Sequence, residues 1–370
     1  MNIESLTSEG RKIERRLMDL GVIRETRSLE ARPEEATTAF GVGYPMKAME
    51  KFLGYYDNSL KIAYNPSISI STDFSYCLSA CRYIARGSND RVFLDGEESQ
   101  LYLERAKHAL DYVRNAYGLS GSFHFYIRRY RKYTDAKGMS ESASVATSVA
   151  MAMSMLLFQS EADESIISEL ARFVSGSGTR GIFRGTAFWL SYPGISHRMC
   201  HAARVADFPK GLKYGIFPKS SSVMTSSAHR IAVASGFYSS WVKSKYPVLN
   251  DLLDSSFETS MLLARGQQEM YNLNAIMLSG SVFLQTSESL KLIRALQEFQ
   301  KSNEGIFLTG DTGPSIMVAS LDGNLIREFA SSVEDVYLPG GQDFSQHNKS
   351  NIAFRSEAES VLNDMARNVQ

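Results

Sequence analysis

The sequence predicts an α+β fold in two layers, with helices packed on mixed or antiparallel sheets. Three observations carry this. Strand-like and helix-like stretches follow one another in mixed order, not in a regular β-α-β alternation. Two stretches alternate apolar and polar residues with a period of two, KIAYNPSISIS at 61–71 and SGSFHFYIRRY at 120–130. The 370 residues, 44% hydrophobic and 22% charged, suffice for a large core and favour two domains or one large one.

Along the chain, residues 5–35 are charged and read as a helical extension before the main fold. GVGYPMKAMEKFLGYYDNSL at 41–60 reads as a loop punctuated by Gly and Pro, followed by the 61–71 strand. RVFLDGEES at 91–99 reads as a strand with an Asp-Gly turn. LYLERAKHALDYVRNAYG has helical spacing and stops at Gly118. After the 120–130 strand, KGMSESASVATSVAMAMSM at 137–155 opens a helix that runs to about Phe158, and an amphipathic helix spans about 163–174. SGSGTRGIFRGTAFWLSY at 175–192 is a Gly/Ser loop entering a strand, and KYGIF at 213–217 is a further strand. From about 225 the pattern is helical, through SSWVKSKYPVLNDLLDSSFETSMLLARG and SLKLIRALQEFQ. GIFLTGDTGPSIMVAS at 305–320 is a hairpin around a Gly-Asp-Thr-Gly-Pro turn.

Lys+Arg and Asp+Glu are both 40, so no global basic field points to nucleic acid. The longest apolar candidate, 143–158, is interrupted by Ser and Thr, and the charged N-terminus lacks an apolar signal core. No membrane partner and a cytoplasmic location are expected. Three cysteines give no disulfide framework, and Cys77 and Cys81 read as buried small hydrophobes.

Four stretches hold residues suited to anion chemistry. The start of the 137–155 segment is either a phosphate-cradling helix N-terminus or a buried helix capped by Ser140. SGSGTRGIFR offers Ser175, Ser177 and Thr179 hydroxyls and the guanidinium forks of Arg180 and Arg184. TSSAHR at 225–230 is another helix start, with Ser226, Ser227, His229 and Arg230. GDTGPS at 310–315 either holds Asp311 rigid as a catalytic carboxylate or lets it close a turn on its own backbone. His197, Cys200 and His201 form a possible metal set in which 197 and 201 would share a helix face, but no partner pair is evident, so no metal site is expected.

In their order these elements resemble the mevalonate diphosphate decarboxylases, within the superfamily of galactokinase, homoserine kinase, mevalonate kinase and phosphomevalonate kinase. The resemblance runs from near residue 50 to about 320. KFLGYYDNSLKIAYNPSISIS is similar to the family's K-Y-W-G-K segment and its N-S-S-x-S strand, with Lys51 on the catalytic lysine, Phe52 on the tyrosine and Tyr55 on the second lysine. DRVFLDG resembles D-R-I-W-L-N-G, and KGMSESAS lies where the family has its phosphate loop, G-L-A-S-S-A. There Ser142 matches the second serine, and Glu141 replaces the first. SGSGTR resembles S-G-S-A-C-R, placing Ser175 and Ser177 on substrate-binding serines and Arg180 on the catalytic arginine, while Arg184 replaces a glycine. GDTGPS resembles D-A-G-P-N, putting Asp311 on the catalytic aspartate.

The resemblance implies a two-domain GHMP-kinase-like fold with the active site in a cleft between domains. The expected divisions are an extension at 1–36, a first domain at 37–212 and a second at 213–370. It also implies roles: Asp311 stabilises positive charge developing at C3, Arg180 and the Ser142 region stabilise the departing phosphate, and Lys51 pairs with Asp311. The departures fall on the nucleotide side. Asp135 and Glu141 add carboxylates to the loop, where Glu141 would take the anion site itself and repel a triphosphate, only partly offset by Lys137. Arg128, Arg129, Arg184, His229 and Arg230 add cations suited to a substrate carrying two separate phosphates.

This pattern resembles the bisphosphomevalonate decarboxylases of acid-living archaea. It implies ATP-independent decarboxylation of mevalonate 3,5-bisphosphate to isopentenyl phosphate, CO2 and phosphate, with no cofactor and a homodimer as the family habit. Three readings stay open beside it. One is an ATP- and Mg2+-dependent decarboxylase of diphosphomevalonate or phosphomevalonate. Another is a kinase of the 3-hydroxyl that stops after phosphorylation, and the last is a non-catalytic relative that only binds ligand.

Overall fold

A computed structural model describes residues 1–35, 37–220 and 225–367, with only the backbone at 225 and 226. The first half holds α1 (Ile3–Asp19), β1 (Thr38–Gly43), β2 (Met46–Glu50), β3 (Tyr55–Asp57), β4 (Ile62–Ala63), β5 (Ser67–Ser71), β6 (Ser75–Ile84), β7 (Arg91–Leu94), β8 (Glu97–Glu98), α2 (Gln100–Tyr117), β9 (Ser122–Arg131), α3 (Glu141–Phe158), α4 (Glu164–Val174), β10 (Thr186–Trp189) and β11 (Ala202–Ala206). The second half holds β12 (Lys213–Phe217), α5 (Thr225–Ala234), α6 (Tyr238–Asp254), α7 (Thr259–Ser279), α8 (Ser287–Gln300), β13 (Ile306–Thr309), β14 (Ile316–Ser320), α9 (Gly323–Ser332), β15 (Leu338–Pro339) and α10 (His347–Arg367).

The strands form a five-stranded sheet (β1-β6-β9-β7-β8), two four-stranded sheets (β11-β10-β5-β2 and β13-β14-β12-β15) and a β3-β4 ribbon. Pairing is antiparallel except for β7 beside β9. The fold is therefore α+β with mixed sheets, as the order of patterns predicts. The largest core cluster draws residues from both halves, among them Met49, Ile68 and Trp189 with Ile216, Trp241 and Met317.

The stretch expected as a loop at 41–60 instead contains β2, β3 and the end of β1. Its glycines are there for close packing. A Cβ on Gly41 would stand 2.2 Å from the Ser148 carbonyl oxygen, and one on Gly43 would stand 2.1 Å from that of Ser144. Without side chains, β1 lets the small-residue face of α3 lie directly on it. All five residues of β2 are buried, so it shows no alternation to read.

α3 is long and apolar enough to cross a membrane by length and composition, yet it is mostly buried within the fold, against β1, β6 and α4. The helical pattern expected from about 225 is divided into α5, α6 and α7, the last two separated at Ser256 and Phe257, both with positive φ. The two ends of the chain cross over. The extension is helical only to Asp19, where α1 buries Leu6, Ile13 and Leu17. It lies on α6, where Arg16 reaches Asn250 at 2.9 Å and Asp254 at 2.6 Å. At the other end α10 returns to the five-stranded sheet, with Phe354 stacked on Tyr126 at 5.8 Å.

Candidate active site

A cavity of about 470 Å3 opens where the first half meets the β13–β14 turn. From the first half it is lined by Lys51, Phe52, Tyr55, Arg180 and the 136–142 loop, and from the second by His229, Leu273, Asp311 and Thr312. Its chemistry centres on Asp311, presented by the tight turn between β13 and β14. Lys51 Nζ donates to Asp311 Oδ1 at 3.1 Å and also reaches the Ala48 carbonyl at 2.6 Å and Thr309 Oγ1 at 3.2 Å. On the other oxygen, Oδ2, lie Lys47 Nζ at 3.3 Å and Ser140 Oγ at 3.1 Å. Burial pushes the Asp311 carboxyl up, but the ammonium groups of Lys47 and Lys51 more than reverse this and hold it at about 2. The carboxylate is thus ionised with both oxygens fixed, and its side chain keeps 18% exposure.

Arg180 closes the short 3-10 turn Gly176–Arg180 and is fully buried. Nη1 donates to the Ser67 hydroxyl, and the guanidinium lies 5.6 Å over Phe52 and 6.0 Å over Trp189. Its Nε and Nη2 have no hydrogen-bond partner among the described residues. Burial lowers its pKa to about 10, with Asp311 and Tyr55 opposing, so it stays charged near neutral pH. Ser175 and Ser177 line the same cavity and share a hydrogen bond of 2.9 Å. The Tyr55 hydroxyl accepts from the Gly176 amide at 3.2 Å, and burial pushes it up to about 12, so it is a neutral phenol.

The 136–142 loop is fastened to the Asp311 turn. Ser315 donates its amide to the Lys137 carbonyl at 3.4 Å, and a Cβ on Gly313 would stand 2.6 Å from the Gly138 nitrogen. Ser140 occupies the N-cap position of α3 with φ 57°, but its hydroxyl makes no cap bond and goes to Asp311 instead. Glu141 lies in the first turn of α3, and its carboxylate faces two guanidiniums, Arg131 and Arg129 Nη1 at 3.5 Å, and accepts from the Tyr133 hydroxyl at 2.9 Å. Ser142 lines the cavity.

Several expected site residues are not gathered there. Arg128 and Arg129 are neighbours on β9 and so point to opposite faces. Arg129 lines the cavity and pairs with Asp95 at 2.6 Å, whereas Arg128 faces α10 and Glu357 at 3.4 Å. Arg184 is exposed and sits 5.9 Å over the Tyr44 ring, outside the cavity lining. Arg230 is exposed on α5 and Ser227 half-buried, neither lining the cavity, and the Ser226 side chain lies outside the described residues. His229 does line it, but not as a cation. Gly54 donates its amide to His229 Nδ1 at 2.8 Å, and burial lowers the imidazole to about 4. It stacks on Tyr55 at 4.7 Å.

His197, Cys200 and His201 lie in a turn rather than on a helix face. His197 Nδ1 faces Glu169 at 3.1 Å, Cys200 faces Ser191, and His201 Nε2 faces the Arg24 carbonyl at 2.8 Å. Sequence reasoning missed Lys47 and the hydroxyl role of Ser140. The available signal was a second lysine four residues before Lys51 in a stretch that is otherwise apolar or neutral up to Glu50.

Residues 44–200 match a family described as the diphosphomevalonate decarboxylase-like N-terminal domain. The chain is similar to a mevalonate 3,5-bisphosphate decarboxylase of Thermoplasma volcanium, 48% identical over 97% of this chain and 96% of that protein. It is similar to a protein of the same name in Thermoplasma acidophilum, 44% identical over 97% of this chain and 89% of that one. Among solved structures, the mevalonate diphosphate decarboxylase of Staphylococcus aureus shares the fold, with a TM-score of 0.71 at 20% identity over 82% of this chain and 95% of that one.

Proposed function

The chain belongs to the family of the mevalonate 3,5-bisphosphate decarboxylases, and we propose that the Asp311 cavity decarboxylates mevalonate 3,5-bisphosphate to isopentenyl phosphate, CO2 and phosphate without consuming a nucleotide. The reaction balances within the substrate. The C1–C2 bond breaks to release CO2, and its electron pair becomes the new C2=C3 double bond. The C3–O bond breaks with its pair leaving on the phosphate. No oxidant is needed, and no proton moves at carbon. The protein's task is therefore to stabilise positive charge near C3 and negative charge on the leaving phosphate.

The observation that carries the reading is the pairing of opposite charges on one cavity. Arg180 is a buried cation with two donor nitrogens unspent, a fork suited to a phosphate. Asp311 is a carboxylate kept ionised by two lysines. Arg105, Arg129 and Lys137 also line the cavity and supply cations for the second phosphate. Two supports favour the nucleotide-free form. Gly138 and Gly313 touch, which packs the 136–142 loop onto the Asp311 turn. Contrary to the expectation from sequence, Glu141 does not take the helix-start amides itself. It bonds Arg131, Arg129 and Tyr133, and so spends cations and adds a carboxylate where a triphosphate would lie.

The test offers mevalonate 3,5-bisphosphate to the purified chain without nucleotide and follows phosphate and alkene. Stoichiometric release of both is expected. Turnover that begins only when ATP is added, or none at all, would overturn the reading. The same reading takes the enzyme as a homodimer in the cytoplasm. Light scattering checks the assembly: a mass near 41.2 kDa would overturn the dimer.

A further inference from the structure

We propose that Lys47, which does not line the cavity, is a positioning residue that locks the ionised Asp311 carboxylate and the 136–142 loop into one rigid unit. The inference rests on Asp311 acting in the reaction proposed above.

Three features of Lys47 carry it. First, its side chain is only 1% exposed, so its ammonium is one of the costliest groups the fold buries. Burial lowers its pKa, and Lys51 lowers it further, while Asp311 opposes both. One carboxylate facing Lys47 and Lys51, with Arg180 also acting on it, is a local excess of cations. The excess is not one that charge balance alone would call for.

Second, the two contacts of Lys47 join separate parts of the chain. It bonds the Gly138 carbonyl of the loop before α3 and lies 3.3 Å from Asp311 Oδ2 on the turn after β13. Ser140 Oγ repeats that bridge from the same loop at 3.1 Å. Third, among the described residues Lys51 alone holds Oδ1, and without Lys47 one hydroxyl would be left on the second oxygen. A carboxylate that stabilises charge in a transition state is effective to the extent that it is already in place. Fixing both oxygens from two sides supplies that, at a position 1% exposed where it adds nothing to substrate binding directly.

The experiment uses the full chain and whichever phosphorylated mevalonate the wild type turns over, so failure of the substrate assignment shows in the wild type and not in the comparison. Lys47→Met is expected to lower kcat by about tenfold to a hundredfold with KM within about threefold, because the residue acts through Asp311 rather than on substrate. In an Asp311→Asn background the same change is expected to cost less than about twofold, since the carboxylate it positions is gone. A raised KM with unchanged kcat, or an equal loss in both backgrounds, would overturn the proposal. If Lys47→Met does not fold, Lys47→Gln, which keeps a hydrogen-bonding end, is read by the same criteria.

Discussion

Two buried charge clusters meet at the end of β2, and neighbouring residues feed them: Glu50 enters one and Lys51 the other. The first joins Glu50 and Glu269 to Lys245 and Arg265. Lys245 lies 2.5 Å from Glu50, and Arg265 lies 2.5 Å from Glu50 and 3.0 Å from Glu269. Trp241 donates its indole N–H to Glu269 at 3.1 Å, and Lys245 sits 4.0 Å from the Trp241 ring centre. Two acids face two bases, the carboxylates and Lys245 are wholly sealed, and nothing remains to bind. The second sets Asp311 alone against Lys47 and Lys51, with Arg180 close by, and opens on the cavity. Buried charge therefore does not itself mark a site. An excess of one sign beside open space does, because only an incoming ion of the other sign can complete it. The two are mechanically linked, since Glu269 accepts the Lys51 amide at 3.2 Å.

That contrast breaks most sharply under Lys245→Met. Removing one partner of a sealed pair leaves uncompensated carboxylates, at a cost of about 3–5 kcal/mol of stability. Denaturant unfolding should show that loss, while kcat per folded molecule stays within about threefold. A folded variant with kcat down a hundredfold would mean that the sealed network belongs to the chemistry. Asp311→Asn is the counterpart: kcat should fall about a hundredfold to a thousandfold, as for loss of one preorganised charge-stabilising group. Elimination at the wild-type rate would remove Asp311 from the mechanism.

The next effect is smaller and separates the clusters by pH. Burial and the adjacent Glu269 push Glu50 up from 4.5 to about 7, whereas Asp311 sits near 2. Between pH 4.5 and 7 the folded chain therefore keeps a proton on Glu50 that the unfolded chain has lost, so this group's contribution falls as pH rises through that window. The linkage amounts to about 1–3 kcal/mol. Thermal unfolding at pH 5 and pH 7 should show a decline in the wild type that Glu50→Gln reduces. An identical decline in both would place the titrating group elsewhere. Asp311 contributes nothing to this window, because its stabilisation is lost only as pH falls from about 4 toward 2.

What the sequence disclosed follows the same line between local and distant causes. The Gly-Asp-Thr-Gly-Pro turn and the Gly/Ser loop are set by their own residues. Asp311, Arg180, Ser175 and Ser177 thus stand out as candidates, the family resemblance gives them their roles, and all four line the cavity. Lys47 was hidden because β2 is buried throughout and shows no period, and because Gly41 and Gly43 look like loop residues until α3 is laid against them. Whether Arg128 or Arg129 faces the cavity turns on a register fixed by pairing with β6. The return of α10 to the first sheet is a tertiary event with no local marker. His229 reads as a cation by residue type, but burial lowers its imidazole to about 4, and Nδ1 accepts a backbone amide.

The smallest expected effect is the one that best exposes an error in this division. Arg184 follows the Gly/Ser loop that supplies Arg180, and by sequence it belongs to the same anion site. In the fold the chain turns between them: Arg180 points inward to Ser67, and Arg184 lies exposed over Tyr44, whose hydroxyl is bonded to the segment before α10. An exposed cation over an aromatic ring contributes about 0.5–1 kcal/mol. Arg184→Ala should therefore lower stability by no more than that and leave kcat/KM within about twofold. Arg180→Ala, four residues earlier, should abolish most turnover. A tenfold or greater loss of kcat/KM in Arg184→Ala would mean that this side chain swings into the cavity with substrate bound. The excess of cations around Asp311 would then extend beyond the residues that line it here.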